Sequence, residues 1–174
     1  MKFKKLKSGQ SMPMLGLGTW QLTGKLCTDI VKKAIKMGYT HIDTAELYGN
    51  EKQIGKAIKD FDREELFITS KVRSSNITRQ GVRESCEKTL HRLGTDYVDL
   101  YLIHWPNDSI PLKESMAGMK DLVDQGKVKS IGVSNFDGKR IKQAIEASEV
   151  PVSVNQVECH PYAPQHELLR FCKD

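Results

Sequence analysis

The sequence has no long hydrophobic run, and this absence argues against a membrane protein. No apolar segment approaches the roughly 20 residues that a spanning helix needs. The basic first residues lead into no signal-peptide core. No low-complexity segment or linker divides the 174 residues. We therefore expect one domain over residues 1–174, with a cytoplasmic location.

Cysteine motifs and a dinucleotide glycine motif are also missing. The four cysteines show no CxxC pair and no zinc spacing, so we expect reduced, mostly structural thiols and no metal site. LGLGTW at residues 15–20 lacks the third glycine of a GxGxxG motif. That lack argues against the doubly wound fold, which is the main structural alternative. The net charge of +5 comes from scattered lysines without interleaved aromatics, so no nucleic-acid partner is predicted.

Strand-like and helix-like segments alternate along the chain. THIDTA, LFITSKV and VDLYLIHW, at residues 40–45, 66–72 and 98–105, read as strands. Helical spacing separates them, and a first helix is expected over residues 28–37 with Thr28 as its cap. After a small N-terminal hairpin the pattern gives about six strand–helix units. This rhythm predicts a parallel α/β sheet, and a closed (β/α)8 barrel needs eight such units.

A barrel of this kind with only six strands has two unpaired edge strands. The first and sixth strands are apolar, and such edges tend to pair with other β-structure. The chain is then either a fragment of a longer protein or one of two chains that complete each other. We therefore expect self-association or a complementing fragment at these edges.

Four polar side chains lie at the ends of the predicted strands or just beyond them: Asp43, Tyr48, Lys71 and His104. In a parallel barrel the C-terminal strand ends form one rim, where chemistry takes place. A phenol has a pKa of about 10 and keeps its proton at neutral pH. Such a set can donate a proton to a carbonyl oxygen. Each residue alone has a structural alternative, namely packing for the tyrosine and a plain salt bridge for the Asp–Lys pair.

Five segments carry a family resemblance. GYTHIDTAELYGNE at residues 38–51 closely resembles the signature of the aldo-keto reductases. The other segments match in family order: ITSKV at 68–72, YLIHWP at 101–106, IGVSNF at 131–136 and NQVECHPY at 155–162. The chain looks most similar to the small microbial branch with 2,5-diketo-gluconate reductases and prostaglandin F synthase-like enzymes. The resemblance implies a TIM-type (β/α)8 barrel that reduces aldehydes and ketones with NADPH.

The resemblance also implies roles for individual residues. Tyr48 would be the general acid, Lys71 would lower its pKa, and Asp43 would hold Lys71 and adjoin the cofactor. His104 would orient the substrate carbonyl. The nicotinamide carboxamide would bind to three residues: Ser134, Asn135 and Gln156. As structural alternatives, the first two could cap the fifth helix, and Gln156 could be satisfied within the barrel.

A loop after the first strand completes the implied site. Gly18, Thr19 and Trp20 would face the cofactor, while Trp20 and Trp105 would form apolar walls beside the substrate. Both tryptophans could instead be ordinary core residues. The substrate itself and the preference for NADPH over NADH are not predicted.

The family's seventh and eighth strands would lie beyond Asp174. The aromatic residue that stacks on the nicotinamide and the groups that bind the cofactor phosphates would lie in the same segment, outside this chain. Each charge-assisted phosphate contact contributes about 1.5–3 kcal/mol, so we expect the isolated 174-residue chain to bind NADPH weakly. Two alternatives to a reductase therefore stay open: an inactive truncated relative, and a binding or regulatory subunit like the potassium-channel β-subunits.

Overall fold

The computed structural model describes residues 2–172, which form an N-terminal hairpin followed by alternating strands and helices. The eight strands are β1 (Phe3–Lys5), β2 (Ser11–Pro13), β3 (Leu17–Gly18), β4 (His41–Asp43), β5 (Phe67–Val72), β6 (Val98–Ile103), β7 (Val128–Ser134) and β8 (Val152–Gln156). The six α-helices are α1 (Gly24–Lys36), α2 (Glu51–Ile58), α3 (Arg79–Leu93), α4 (Leu112–Asp124), α5 (Gly138–Ala147) and α6 (His166–Phe171).

The main sheet has six strands in the order β3-β4-β5-β6-β7-β8, and all of its pairings are parallel. Each strand lies beside the next one along the chain, so the order never reverses as it does in a doubly wound sheet. The predicted barrel architecture is therefore confirmed for its first six strand–helix units. Within residues 2–172, β3 and β8 each have one neighbouring strand, so both expected edges are present.

The first helix begins earlier than the sequence predicts. Thr23, in an extended conformation, is the N-cap residue, and α1 starts at Gly24 rather than after Thr28. The additional turn buries Cys27 completely. Thr28 lies inside the helix, where its hydroxyl donates a hydrogen bond to the carbonyl oxygen of Gln53 in the first turn of α2. A tertiary contact between two helices thus overrides the local capping preference of threonine.

The core has two parts, one between the sheet and the helices and a smaller one inside the sheet's curve. The α3 stripe of Val82, Cys86, Leu90 and Leu93 is buried against the sheet, as its spacing predicts. The inner cluster has four buried residues, Leu6, Phe67, Leu100 and Leu102. Leu6 belongs to the N-terminal hairpin, which therefore covers one end of the barrel.

The two ends of the barrel differ in their polar contacts. At the N-terminal ends of the strands, the Arg63 guanidinium pairs with Asp99 at 2.7 Å and lies 4.1 Å from the centre of the Tyr97 ring. Asp99 also accepts a hydrogen bond from the Ile68 backbone N–H. These contacts join β5 to β6 at the end of the sheet opposite the C-terminal strand ends. Within residues 2–172, no helix combines the length and the apolarity that crossing a membrane requires.

Candidate active site

The predicted quartet converges at the C-terminal end of the sheet. Asp43 ends β4, Lys71 is the penultimate residue of β5, and His104 directly follows β6. Tyr48 lies on a single 3-10 turn, Glu46–Tyr48, just after β4. Parallel pairing aligns these strand ends, since Asp43 is level with Thr69 and Lys71 with Leu102. The sheet therefore brings four side chains that are far apart in sequence to one rim, as the strand pattern predicts.

Lys71 is the centre of the quartet, and its side chain is completely buried. Its Nζ donates hydrogen bonds to Asp43 Oδ1 at 2.5 Å and to the Thr44 carbonyl oxygen at 2.9 Å. The Tyr48 hydroxyl lies 3.4 Å from the same Nζ. The expected contact between Asp43 and Lys71 is present. A buried ammonium therefore bridges the carboxylate and the phenol.

His104 lies against Tyr48 edge to face, with 5.6 Å between ring centroids and an interplanar angle of 78°. The residue is 7% exposed, and its Nδ1 is buried without a hydrogen-bond partner among the described residues. Its carbonyl oxygen accepts a hydrogen bond from Asn135 Nδ2 at 2.9 Å. A buried ring nitrogen without a protein partner is the kind of polar group that an ordered water ordinarily satisfies.

The pKa of Tyr48 moves in the direction opposite to the one expected. Burial, followed by the negative charge of Asp43, raises the pKa of the Tyr48 phenol to about 12. The expectation that Lys71 would lower this pKa is wrong. The Lys71 ammonium is 2.5 Å from Asp43 but 3.4 Å from the phenol, so the carboxylate largely offsets its charge. Tyr48 therefore holds its proton throughout the neutral range.

The pKa of His104 falls to about 4 because the ring is buried and the Lys71 charge lies close to it, although Asp43 opposes the shift. Burial also lowers the pKa of Lys71, and the charge and hydrogen bond of Asp43 oppose that shift. At neutral pH the imidazole is therefore uncharged. It can donate or accept one hydrogen bond at each ring nitrogen, according to its tautomer.

Ser134, Asn135 and Gln156 form one hydrogen-bonded group beside Asp43. Gln156 Nε2 donates to Asp43 Oδ2 at 2.8 Å, and Ser134 Oγ donates to the Gln156 carbonyl oxygen at 2.9 Å. Asn135 Nδ2 contacts Ser134 Oγ at 3.2 Å. The alternative that Ser134 or Asn135 caps the fifth helix is wrong, because Asp137 caps α5 by accepting from the Arg140 N–H.

The loop after β3 is closely attached to this group. Thr19 is fully buried, and both its backbone N–H and its hydroxyl donate to the Asp43 carbonyl oxygen, at 3.0 and 2.9 Å. Gly18 pairs with Asp43 in the sheet, and a Cβ added at Gly18 would meet open space. Thr19 therefore holds the backbone of Asp43, while Gly18 leaves room beside it.

Trp20 and Trp105 are not core residues, so that structural alternative is wrong for both. Trp20 is 69% exposed and Trp105 is 52% exposed. Trp105 lines an open cavity of about 770 Å³ that also contacts Asn135 and the residues around the start of α5 and α6. The quartet lies outside that cavity's lining, so its buried charges and short contacts are a separate feature of the rim. The substrate-wall role of both tryptophans stays a prediction.

Two residues of the site were not predicted, although both lie in the GYTHIDTAELYGNE segment. Asn50 is fully buried and donates from Nδ2 to the carbonyl oxygens of Thr19 and Leu22, at 2.8 and 3.0 Å. Its Oδ1 accepts from the Thr44 hydroxyl at 2.7 Å. Glu51, the next residue, is buried as well. A charged residue at the first position of a predicted helix ordinarily faces solvent, so only the run of polar residues after Tyr48 could have signalled these contacts.

Comparison with known proteins agrees with this geometry. Residues 14–174 match the model of the Aldo/keto reductase family. The chain belongs to this family. An Arabidopsis thaliana relative, aldo-keto reductase family 4 member C11, is 44% identical over 191 residues, a match that covers 98% of this chain and 61% of the relative. The chain therefore spans less than two thirds of that relative's length.

Solved structures of aldo-keto reductases superpose closely on the chain. A thermostable aldo-keto reductase in complex with the inhibitor epalrestat is 48% identical, with a TM-score of 0.93 and coverage of 99% of this chain and 69% of that one. A Bombyx mori aldo-keto reductase in complex with NADP is 33% identical, with a TM-score of 0.91 and coverage of 99% and 62%. The family and the TIM-type barrel fold predicted from the sequence are confirmed.

Proposed function

We propose that the protein reduces an aldehyde or a ketone to an alcohol with NADPH, and that Tyr48 donates the proton. The observation that carries this proposal is the contact of the protonated Tyr48 phenol with the buried Lys71–Asp43 pair. A developing alkoxide is a stronger base than a phenolate, so it takes the proton from Tyr48 even though burial raises the phenol pKa to about 12. The complete protein's substrates are part of this proposal.

Lys71 and His104 support the same transfer in different ways. The Lys71 ammonium lies 3.4 Å from the Tyr48 hydroxyl and orients the phenol oxygen by a hydrogen bond, while Asp43 largely offsets its charge. The His104 imidazole is neutral at pH 7, because its pKa is about 4. It therefore orients the carbonyl oxygen by a hydrogen bond and leaves the proton donation to Tyr48.

The residues present fit the carboxamide end of a nicotinamide cofactor. A carboxamide needs both donors and acceptors, and Ser134, Asn135 and Gln156 supply both types of group. Asn135 Oδ1 and Gln156 Oε1 accept no hydrogen bond from the described residues, so two acceptors are available near Asp43. When bound, the reduced nicotinamide supplies the hydride. The NADP complex of the Bombyx mori relative supports NADPH as the cofactor.

The free edges of β3 and β8 are the proposed place for further β-structure. Each edge exposes backbone groups that another strand can pair, from the rest of the same protein or from a second chain. We include this association in the proposal, together with a cytoplasmic location.

The proposed function is tested by supplying the purified complete protein with NADPH and a panel of aldehydes and ketones. We expect NADPH consumption that requires both protein and carbonyl compound, with one alcohol formed for each NADPH oxidised. NADH in place of NADPH measures the cofactor preference in the same assay. A protein that binds NADPH but consumes none with any carbonyl would instead support a binding role.

A further inference from the structure

A buried carboxylate lies next to the site and takes no part in the proposed proton transfer. Glu51, the first residue of α2, is 1% exposed. Its Oε1 accepts hydrogen bonds from Ser70 Oγ at 2.8 Å and from Thr89 Oγ1 at 2.9 Å. Its Oε2 accepts from Arg92 Nη1 at 3.0 Å. One carboxylate therefore joins the start of α2 to β5 and to α3.

Stability alone does not account for a charge in this position. Taking a carboxylate out of water is unfavourable, and apolar residues of similar volume often replace buried ion pairs without loss of stability. The Arg92 side chain is 39% exposed, so it compensates for the buried charge of Glu51 only in part. The carboxylate accepts directional hydrogen bonds from the hydroxyl groups of Ser70 and Thr89, which are both fully buried. An apolar side chain in its place would leave these two hydroxyl groups without that acceptor.

The bond between Glu51 and Ser70 connects the two halves of the proposed catalytic pair. Glu51 follows Tyr48 by three residues, and Ser70 directly precedes Lys71 in β5. A second connection runs from Glu46 Oε2 to the Arg73 backbone N–H at 3.1 Å, but it lies at the exposed rim, where water competes for the same groups. Of these two carboxylate connections the buried one is the stronger. It acts on the far side of the Tyr48 turn from the hydrogen bond that the Thr44 N–H donates to the Thr69 carbonyl oxygen of β5 at 2.9 Å.

We propose that Glu51 is a positioning residue that sets the separation of the Tyr48 hydroxyl and Lys71 Nζ through its hydrogen bond to Ser70. This rests on the proposed function only in taking Tyr48 and Lys71 as the reacting pair. Proton transfer is sensitive to misplacement of about 1 Å, and reacting groups are held in place by the residues that support them. Glu51 supplies that support from outside the barrel, since Ser70 and Lys71 point to opposite faces of β5.

Two matched variants separate positioning from general stability. Ser70→Ala and Thr89→Val each remove one of the two hydroxyl donors to Glu51 Oε1, and both sites are fully buried. Only Ser70 lies on the strand that carries Lys71. The readout is NMR of the labelled protein without cofactor, namely the Tyr48–His104 ring contact and the pKa of His104. Tyr48→Phe and His104→Gln assign the two sets of signals.

In Ser70→Ala we expect the ring contact between Tyr48 and His104 to weaken. Because the His104 ring is then less buried by Tyr48, its pKa should rise from about 4. In Thr89→Val both observables should stay as in the unaltered protein. Equal changes in the two variants, or no change in Ser70→Ala, would overturn the positioning role. Since the readout needs neither cofactor nor turnover, that outcome would leave the proposed reductase activity untouched.

Glu51→Gln provides a second test that does not depend on the folding of Ser70→Ala. The amide oxygen of glutamine can still accept the hydrogen bond from Ser70, although the negative charge is lost. The proposal therefore predicts an unaltered ring contact and an unaltered pKa of His104 in this variant. A shift of either observable in a folded Glu51→Gln protein would show that the charge matters rather than the hydrogen bond to β5, and would contradict the proposal.

Discussion

In the complete protein, replacing Tyr48 with phenylalanine is expected to lower kcat for carbonyl reduction by about 10²–10⁴-fold, the usual contribution of a general acid. The affinity for NADPH should stay nearly unchanged. The three residues proposed to bind the carboxamide of the cofactor, Ser134, Asn135 and Gln156, are separate from the phenol oxygen. Steady-state kinetics give kcat, and a fluorescence titration gives the dissociation constant of NADPH.

Tyr162→Phe is the matched control for this variant. Tyr162 is 97% exposed, and its aromatic contact is with His160 rather than with the quartet. The same loss of one hydroxyl group there should leave kcat unaltered. If Tyr48→Phe keeps kcat within about threefold of the unaltered protein, Tyr48 does not have the general-acid role.

Lys71→Met is expected to destabilise the fold as well as to remove activity. The Lys71 side chain is completely buried and Asp43 is 15% exposed, so the variant leaves a mostly buried carboxylate without its cation. Removing one partner of a buried ion pair costs about 3–5 kcal/mol. We expect the lower end of that range, because Gln156 Nε2 still donates to the other Asp43 oxygen. Denaturant unfolding at neutral pH measures the change in the free energy of unfolding.

The double variant Asp43→Asn/Lys71→Met identifies the cause of that loss. If the unpaired carboxylate is responsible, removing its charge as well should restore part of the free energy of unfolding. The contrary result is a double variant that is no more stable than Lys71→Met alone. That result would mean that packing of the lysine stem, rather than charge pairing, dominates the stability of this site.

The position of the quartet could be predicted because it depends on features that single segments carry. Asp43, Lys71 and His104 each follow a run of β-branched and aromatic residues, and parallel strand ends lie at one rim. Tyr48 lies close to these three residues because only one short turn separates it from the end of β4. The fold could be predicted for the same reason, because each strand–helix unit is recognised from the residue pattern of its own segment.

Contacts between distant segments could not be predicted in the same way. The pKa of Tyr48 depends on distances to Lys71 and Asp43 that local patterns do not contain, so its direction was wrong. The start of α1 depends on a contact between Thr28 and α2, and the burial of Glu51 depends on hydroxyl groups of β5 and α3. These features arise only when the elements pack together.

In the proposed reaction Tyr48, rather than His104, gives the proton to the substrate oxygen. The most direct test is the rate constant of a single turnover of carbonyl reduction, measured between about pH 5 and pH 9. With the pKa of Tyr48 at about 12 and that of His104 at about 4, the phenol stays protonated throughout this range, and we predict a nearly constant rate. A rate that rises about tenfold for each unit of falling pH would identify the His104 imidazolium as the donor and contradict the account.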